Sequence, residues 1–248
     1  MSTDLSGRVV AITGASSGIG EATALAAAER GAAVALAARR ADRIEALAQR
    51  ITDEGGRAVA VATDVGEERQ ARHFVAVAHE QLGGLDVLVN NAGVMLLGAI
   101  EGADTEQWRR MIHVNLFGVL YCTHAALPLM REAGHGHIVN VSSVAGRIAS
   151  AGSGVYNMTK WGVGAFSEAL RQECVGSGIR VTIVEPGAVA TELLSHNSDE
   201  VREQAAKRFA GVTPLEAEDI ADAILYALRQ PAHVAINEVL VRPSAQAR

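Results

Sequence analysis

The sequence predicts one doubly wound α/β domain, a seven-stranded parallel sheet with helices on both faces. Three observations carry this expectation. Apolar runs of strand length alternate with longer segments of helical period. The strand runs are continuously apolar rather than alternating, as in parallel strands buried on both faces. The 248 residues, 49% hydrophobic and 20% charged, have an ordinary globular composition and enough length for a sizeable core.

Taken in order, Arg8 to Thr13 reads as a strand and Gly18 to Arg30 as a helix. Ala33 to Ala38 is the second strand, and Asp42 to Glu54 a helix stopped by Gly55-Gly56. Ala58 to Ala62 is a strand and Glu67 to Leu82 a helix; Leu85 to Asn90 is the fourth strand. Thr105 to about Arg131 has helical period, with Pro128 expected to kink or end it. His137 to Ser142 is a strand, Val155 to Val175 a helix, and Ile179 to Glu185 the sixth strand. Glu216 to Arg229 is the last helix and Val234 to Val241 the last strand. No linker, repeat or low-complexity tract divides the chain, so 1–248 is read as one domain. Residues 187–213 form a long connection between a strand and a helix, the kind that often serves as a lid; two ordinary surface helices are compatible with it.

Several function classes are disfavoured. The net charge of −6 and pI near 5.8 do not suit nucleic acid or an anionic membrane surface. The longest uninterrupted apolar run, Ala32 to Ala38, is far shorter than a membrane span of about 18 residues. Met1-Ser2-Thr3-Asp4 does not begin a signal peptide. Two cysteines, Cys122 and Cys174, both in helical patterns, read as buried free thiols, and a reducing, cytoplasmic setting is expected.

Thr13-Gly14-Ala15-Ser16-Ser17-Gly18-Ile19-Gly20 joins the first strand to the first helix, the place where a glycine-rich turn cradles a dinucleotide pyrophosphate. Gly14 allows the tight turn, Gly18 the approach of backbone to phosphate, and Gly20 the packing of helix on strand. The helix N-terminus offers N–H groups and a positive dipole end. A Rossmann-type site that takes NAD has an acidic residue at the end of the second strand; here the chain reads Ala37-Ala38-Arg39-Arg40. Either Arg39 or Arg40 suits a 2′-phosphate through charge-assisted, forked bonds. Asp42 is a rival ribose acceptor, but Asp42-Arg43-Ile44-Glu45 has the pattern of a helix cap. NADP(H) is therefore the expected coenzyme.

Tyr156 and Lys160 stand one helical turn apart, on one face of the same helix. An ammonium beside a phenol favours the phenolate, which suits proton exchange in alcohol–carbonyl interconversion. Ser142-Ser143, Asn90-Asn91-Ala92-Gly93 and Pro186-Gly187 all end strands at the carboxyl edge of the sheet, where ligands bind in such folds. Asn115 lies inside a helix, where asparagine needs a reason. His135-Gly136-His137 reads as a loop entering a strand, and no metal is expected. His113 reads as an ordinary half-buried histidine, and Trp161 as a packing or subunit contact.

With these motifs, residues 5–243 resemble the short-chain dehydrogenase/reductase family in its compact one-domain branch. The likeness rests on the glycine motif, Asn90-Asn91-Ala92-Gly93, Asn115, Ser143, Tyr156-x-x-x-Lys160 and Pro186-Gly187-x-x-x-Thr191, with Ser143 thirteen residues before Tyr156. The resemblance implies that Tyr156 exchanges the proton with the substrate oxygen, Ser143 holds that oxygen, Lys160 binds the nicotinamide ribose, and Asn115 organises a water. It also implies that Asp64 and Val65 border the adenine, Asn91, Ala92 and Gly93 the adenosine ribose, and Pro186, Gly187, Val189 and Thr191 the nicotinamide.

The expected pocket is walled by Val94 to Leu97, by Val144 to Gly154 with Arg147 as its one charge, and by the lid with Leu193, Leu194 and His196. Such a wall suits a neutral carbonyl compound. The arginine pair, Val94 to Gly98, Glu185-Pro186-Gly187 and the C-terminal motif look like an NADP-dependent subgroup that includes clavulanic acid dehydrogenases and 3-hydroxy acid or serine dehydrogenases. Reduction of 3-oxoacyl-carrier protein and a non-catalytic NADPH-binding regulator are the alternatives. The resemblance implies a homotetramer, for which Val163, Phe166 and Leu170 and the apolar last strand are the expected contacts.

Overall fold

The computed structural model describes residues 4–247. Its strands are β1 (Val9–Thr13), β2 (Ala33–Ala38), β3 (Arg57–Ala62), β4 (Val87–Asn90), β5 (Gly136–Val141), β6 (Ile179–Pro186) and β7 (Glu238–Val241). All neighbours are parallel, in the order β3-β2-β1-β4-β5-β6-β7. The chain runs outward from β1 to β3, then returns to β4 and runs the other way. That reversal opens a crevice beyond the carboxyl ends of β1 and β4.

The helices are α1 (Gly18–Ala28), α2 (Ala41–Asp53), α3 (Glu68–Leu82), α4 (Thr105–Ile112), α5 (Gly118–Ala133), α6 (Gly154–Glu173), α7 (Asp199–Arg208) and α8 (Ala217–Leu228). Val10, Ile12, Val34 and Leu36 meet Ile44 and Leu47 of α2 and Ile220 and Ile224 of α8 on one face. Ala11, Ala35, Leu88 and Ile138 meet Phe74 of α3, Cys122 and Met130 of α5 and Leu170 of α6 on the other. A strand covered on both sides must be apolar at every position, which is why these runs do not alternate. Both cysteines are buried free thiols, and burial pushes the Cys122 thiol up to about 12.

Five expectations need correction. Pro128 does not end its helix: α5 runs to Ala133 and is stopped by Gly134 in the left-handed region at φ 72°. The α pattern changes earlier instead, in a π-helical turn over His113–Phe117. Asp42 is not the cap of α2; Arg40 occupies that position, and Asp42 lies in the first turn with no capping bond made. The turn after β2 is short, so the helix starts before Asp42 can act. β7 begins at Glu238 rather than Val234, because Arg180 Nη1 holds the Gln230 and Val234 carbonyls and Thr182 holds that of Ile236. Val163 and Leu170 face the protein's own core. The exposed apolar side chains on these helical surfaces are Phe117, Leu120, Met158 and Trp161. His113 is exposed rather than half-buried, its ring edge against Phe117.

By length and hydropathy the continuous stretch Thr105–Ala133 would suffice to cross a bilayer. In this fold Cys122, Ala126 and Met130 pack it onto the sheet.

Candidate active site

The crevice begins at the turn after β1. Gly14 (φ 68°) and Gly18 (φ 56°) take the left-handed backbone that glycine permits. A Cβ on Gly20 would lie 2.3 Å from Gly14 O and 2.6 Å from Asn91 Nδ2, so only glycine fits there. Asn91 Nδ2 donates to the Thr13 and Gly14 carbonyls, at 2.9 and 3.3 Å. Thr13 Oγ1 accepts from the backbone N–H of Asn91 and Ala92, both at 3.0 Å. The Asn91 side chain therefore fixes the glycine turn against the end of β4, and Asn91 also lines the crevice. Ser17 precedes α1 without capping it, which leaves the first N–H groups of the helix to an incoming anion. Ser16, Ser17, Gly18 and Ile19 line the crevice. A dinucleotide pyrophosphate fits this cradle.

At the end of β2, Ala38 is buried, Arg39 is exposed and lines the crevice, and Arg40 turns back over the cradle. Arg40 Nη2 donates to Ser16 Oγ at 2.8 Å and Ser17 Oγ at 2.7 Å. Its Nη1 donates to Glu192 at 2.7 Å, and Arg43 Nη1 donates to the same carboxylate at 2.9 Å. Arg40 and Arg43 hold the Glu192 carboxyl down at about 2. Beyond β3, Asp64 and Val65 line the crevice; the Asp64 carboxylate accepts from the Gly66 N–H at 2.9 Å.

The reacting groups lie farther along, where β4, β5 and α6 converge. Tyr156 and Lys160 are 5% and 6% exposed, and Lys160 Nζ sits 5.8 Å from the centre of the Tyr156 ring. Lys160 Nζ donates to the Val141 carbonyl at 3.0 Å. Burial pushes the Tyr156 phenol up to about 12, opposed by its hydrogen bond with Ser143, and lowers the Lys160 ammonium to about 8. Burial thus opposes the lowering expected from the Tyr–Lys spacing. The phenol form of Tyr156 is the proton donor that reduction of a carbonyl requires. Ser143 Oγ accepts from Ala145 N–H at 3.1 Å and donates to the Pro186 carbonyl at 3.4 Å; Ser143 lines the cleft and hydrogen-bonds Tyr156.

Asn115 lies in the π turn, a feature that often marks functional sites. Its Oδ1 accepts from Val94 N–H at 2.8 Å, and its Nδ2 donates to the Val94 carbonyl and to Thr159 Oγ1. A Cβ on Gly93 would stand 3.5 Å from Asn115 Oδ1 and 3.7 Å from Lys160 Nζ, so both groups border the small space above Gly93.

These parts line one cleft of about 1190 Å³. Its far wall is the passage after β6, where Pro186, Gly187, Val189 and Thr191 lead into a 3-10 turn (Glu192–His196) and α7. A Cβ on Gly18 would meet Thr191 Cγ2 at 3.0 Å, so this passage closes over the glycine turn. Arg147 does not line the cleft as expected. It turns outward to Glu185, with Nε 2.6 Å from Oε2, and pairs also with Glu238. His135 pairs with Asp86 outside the cleft, and His137 is buried against Thr182.

The sequence reading missed three residues. Asn157 Nδ2 donates to the Ala145 and Ile148 carbonyls, both at 2.8 Å, and so shapes the loop after Ser143. Its place beside Tyr156 in a helix, where asparagine is disfavoured, was the available signal. Asn197 bonds Leu97 N–H and the Met95 carbonyl, at 2.7 and 2.8 Å, and ties the far wall to the segment after β4. Neither Asn197 nor Glu192 carries a local signal, because their partners lie far away in the sequence.

Comparison with known proteins agrees with this arrangement. The family model for short chain dehydrogenase matches residues 8–202. The chain is 44% identical over 242 residues to the glycine betaine reductase ATRR of Emericella nidulans, covering 96% of this chain but only 19% of that much longer protein. It is 43% identical to an oxidoreductase of Staphylococcus saprophyticus, covering 96% of this chain and 97% of that one. Among solved structures, the closed form of a serine dehydrogenase complexed with NADP+ superposes with a TM-score of 0.86 at 34% identity, over 96% of each chain. An alcohol dehydrogenase from the archaeon Thermococcus sibiricus, complexed with 5-hydroxy-NADP, gives 0.87 at 31% identity, over 97% of this chain and 98% of that one. With the glycine cradle, the Ser143–Tyr156–Lys160 cluster and these matches along nearly its whole length, the chain belongs to the short-chain dehydrogenase/reductase family of oxidoreductases.

Proposed function

We propose that the protein is an NADPH-dependent carbonyl reductase acting on an aldehyde or ketone. The observation that carries this reading is the buried Tyr156 beside Ser143 and Lys160, in one cleft with a phosphate cradle whose strand-end neighbours are Arg39 and Arg40. Gly14, Ser16, Ser17, Gly18, Ile19 and Gly20 would hold the pyrophosphate, and Arg39 or Arg40 the 2′-phosphate. Asp64, Val65, Ala92 and Gly93 would border the adenosine, with Asn91 acting through the turn it fixes. Lys160, Pro186, Gly187, Val189 and Thr191 would hold the nicotinamide end.

When bound, the coenzyme supplies the hydride. Ser143 donates a hydrogen bond to the substrate oxygen, and Tyr156 delivers its proton there as the carbonyl becomes an alcohol. Lys160 then lies next to the phenolate left behind. A water above Gly93, bonded to Asn115 and Lys160, would return a proton from solvent. The passage 187–213 serves as the substrate lid.

A clavulanate-type aldehyde is our first substrate class. The likeness to a serine dehydrogenase favours 3-hydroxy acids as a second, and His196 and Arg202 of the lid, which line the cleft, would suit a carboxylate. We further place the enzyme in the cytoplasm as a homotetramer, with Phe117, Leu120, Met158 and Trp161 in the subunit contact. The test is coenzyme consumption against aldehydes, ketones, 3-oxo acids and 3-oxoacyl thioesters, with NADPH and NADH side by side, in the wild type, Arg39→Ala and Arg40→Ala. NADPH should be preferred, and at least one variant should lose NADPH affinity roughly ten- to a hundredfold. A wild-type preference for NADH, or no carbonyl turned over, would refute the proposal.

A further inference from the structure

Glu192 occupies an unusual position. It opens the 3-10 turn of the far wall, yet its carboxylate sits between two guanidiniums that come from the other side of the cleft. Arg40 lies 152 residues earlier and Arg43 149 residues earlier. Arg40 is heavily committed: Nε and Nη2 hold Ser16 and Ser17, and Nη1 holds Glu192. An anion bridged by two arginines at this strand end is what a 2′-phosphate would also require. Two anions drawn to the same guanidinium repel each other, so one gains it at the other's expense.

The geometry points to Glu192 as a specificity-determining residue, an internal anion that tethers the lid through Arg40 and Arg43 and that the 2′-phosphate of the coenzyme must displace. The inference rests on the NADP(H) reading given above. Its consequence is reciprocal coupling: whatever the tether subtracts from 2′-phosphate binding, the 2′-phosphate subtracts from the tether. A coenzyme without that phosphate leaves the Glu192 pairs intact and is indifferent to them. The side chains involved are 40–46% exposed, so the pairs are partly screened and the effect is moderate.

The experiment titrates the purified full-length protein, by calorimetry, with adenosine 2′,5′-diphosphate and with adenosine 5′-diphosphate, in the wild type and Glu192→Gln. Adenosine 2′,5′-diphosphate should bind about three- to tenfold tighter to Glu192→Gln than to wild type, and adenosine 5′-diphosphate equally to both. The gap should narrow in high salt, which screens exposed pairs. Backbone hydrogen exchange over residues 192–208 supplies a second reading. It should be faster in unliganded Glu192→Gln than in unliganded wild type. In wild type it should quicken with adenosine 2′,5′-diphosphate and not with adenosine 5′-diphosphate. Unchanged or weaker binding of adenosine 2′,5′-diphosphate by the variant, with wild type still preferring it, would overturn the competition alone. Equal gains for both nucleotides would do the same. If wild type itself bound the two nucleotides equally, the NADP(H) reading would fall, and the inference with it.

Discussion

Arg147 offers the sharpest test of how the cleft is held open. It follows the short helical turn after Ser143, and its guanidinium ties that loop to Glu185 at the end of β6 and to Glu238 of β7. Glu185 is 4% exposed, so removing its partner strands a charge in the interior. Breaking a fully buried pair costs about 3–5 kcal/mol. Water reaches this one from the outer side, because the Arg147 side chain is 39% exposed and that of Glu238 60%. Discounted for that screening, Arg147→Met should cost about 2–3 kcal/mol. For a domain of this size the melting temperature should fall by about 4–12 °C. The loop bearing Ser143 should loosen with it, lowering kcat more than it raises KM. Adding Glu185→Gln removes the stranded charge and should restore more than half of the lost stability, since a neutral amide costs less to leave without a charged partner. Thermal melts and steady-state kinetics on both variants decide the matter. If Arg147→Met melted like wild type and only raised KM, Arg147 would be a wall of the substrate pocket, as its place in the sequence suggests, and the tie described here would be wrong.

Three further outcomes are expected. Tyr156→Phe should lose about 10²- to 10⁴-fold in turnover while coenzyme binding, followed by fluorescence, stays near wild type; retention of more than about a tenth of the rate would remove Tyr156 from the proton step. Gly93→Ala places a methyl group at ordinary contact distance from Asn115 Oδ1 and Lys160 Nζ, so the fold should hold, yet the methyl takes the space the proposed water would use; kcat should drop by about tenfold or more, and an unchanged kcat would argue against a water there. His137 is 2% exposed and burial lowers its pKa to about 3, below the ordinary 6.5 of the unfolded chain. Between those two values the unfolded state binds the extra proton, so the contribution is fully present above pH 6.5 and is lost as pH falls, by about 1.4 kcal/mol per unit. His137→Gln should flatten the acid limb of a urea-denaturation series, and an unaltered slope between pH 6.5 and 5 would show that other groups set it.

The sheet, its parallel sense and the placing of the glycine turn were all legible in the sequence. Strand burial on both faces forces continuous apolar runs, and a left-handed turn forces glycine, so both leave marks within a few residues of chain. The Tyr156–Lys160 spacing was legible for the same reason, since one helical turn is a local distance. The ends of elements were less legible. Asp42 has the right neighbours for a cap, but the shortness of the turn after β2 starts the helix before it. Val234 is as apolar as a strand residue, yet the Arg180 and Thr182 side chains hold that segment out of the ladder.

Which side chains meet across the sheet edge emerges only from the folded arrangement. Arg147 reads as a pocket residue until β6 and β7 bring Glu185 and Glu238 beside it. Glu192 reads as one more surface carboxylate until the crevice sets it between Arg40 and Arg43. Burial raises the Tyr156 phenol, an effect that its spacing from Lys160 does not reveal. Periodicity and turn chemistry are properties of neighbouring residues. Ion pairing and desolvation depend on where segments distant in the sequence converge.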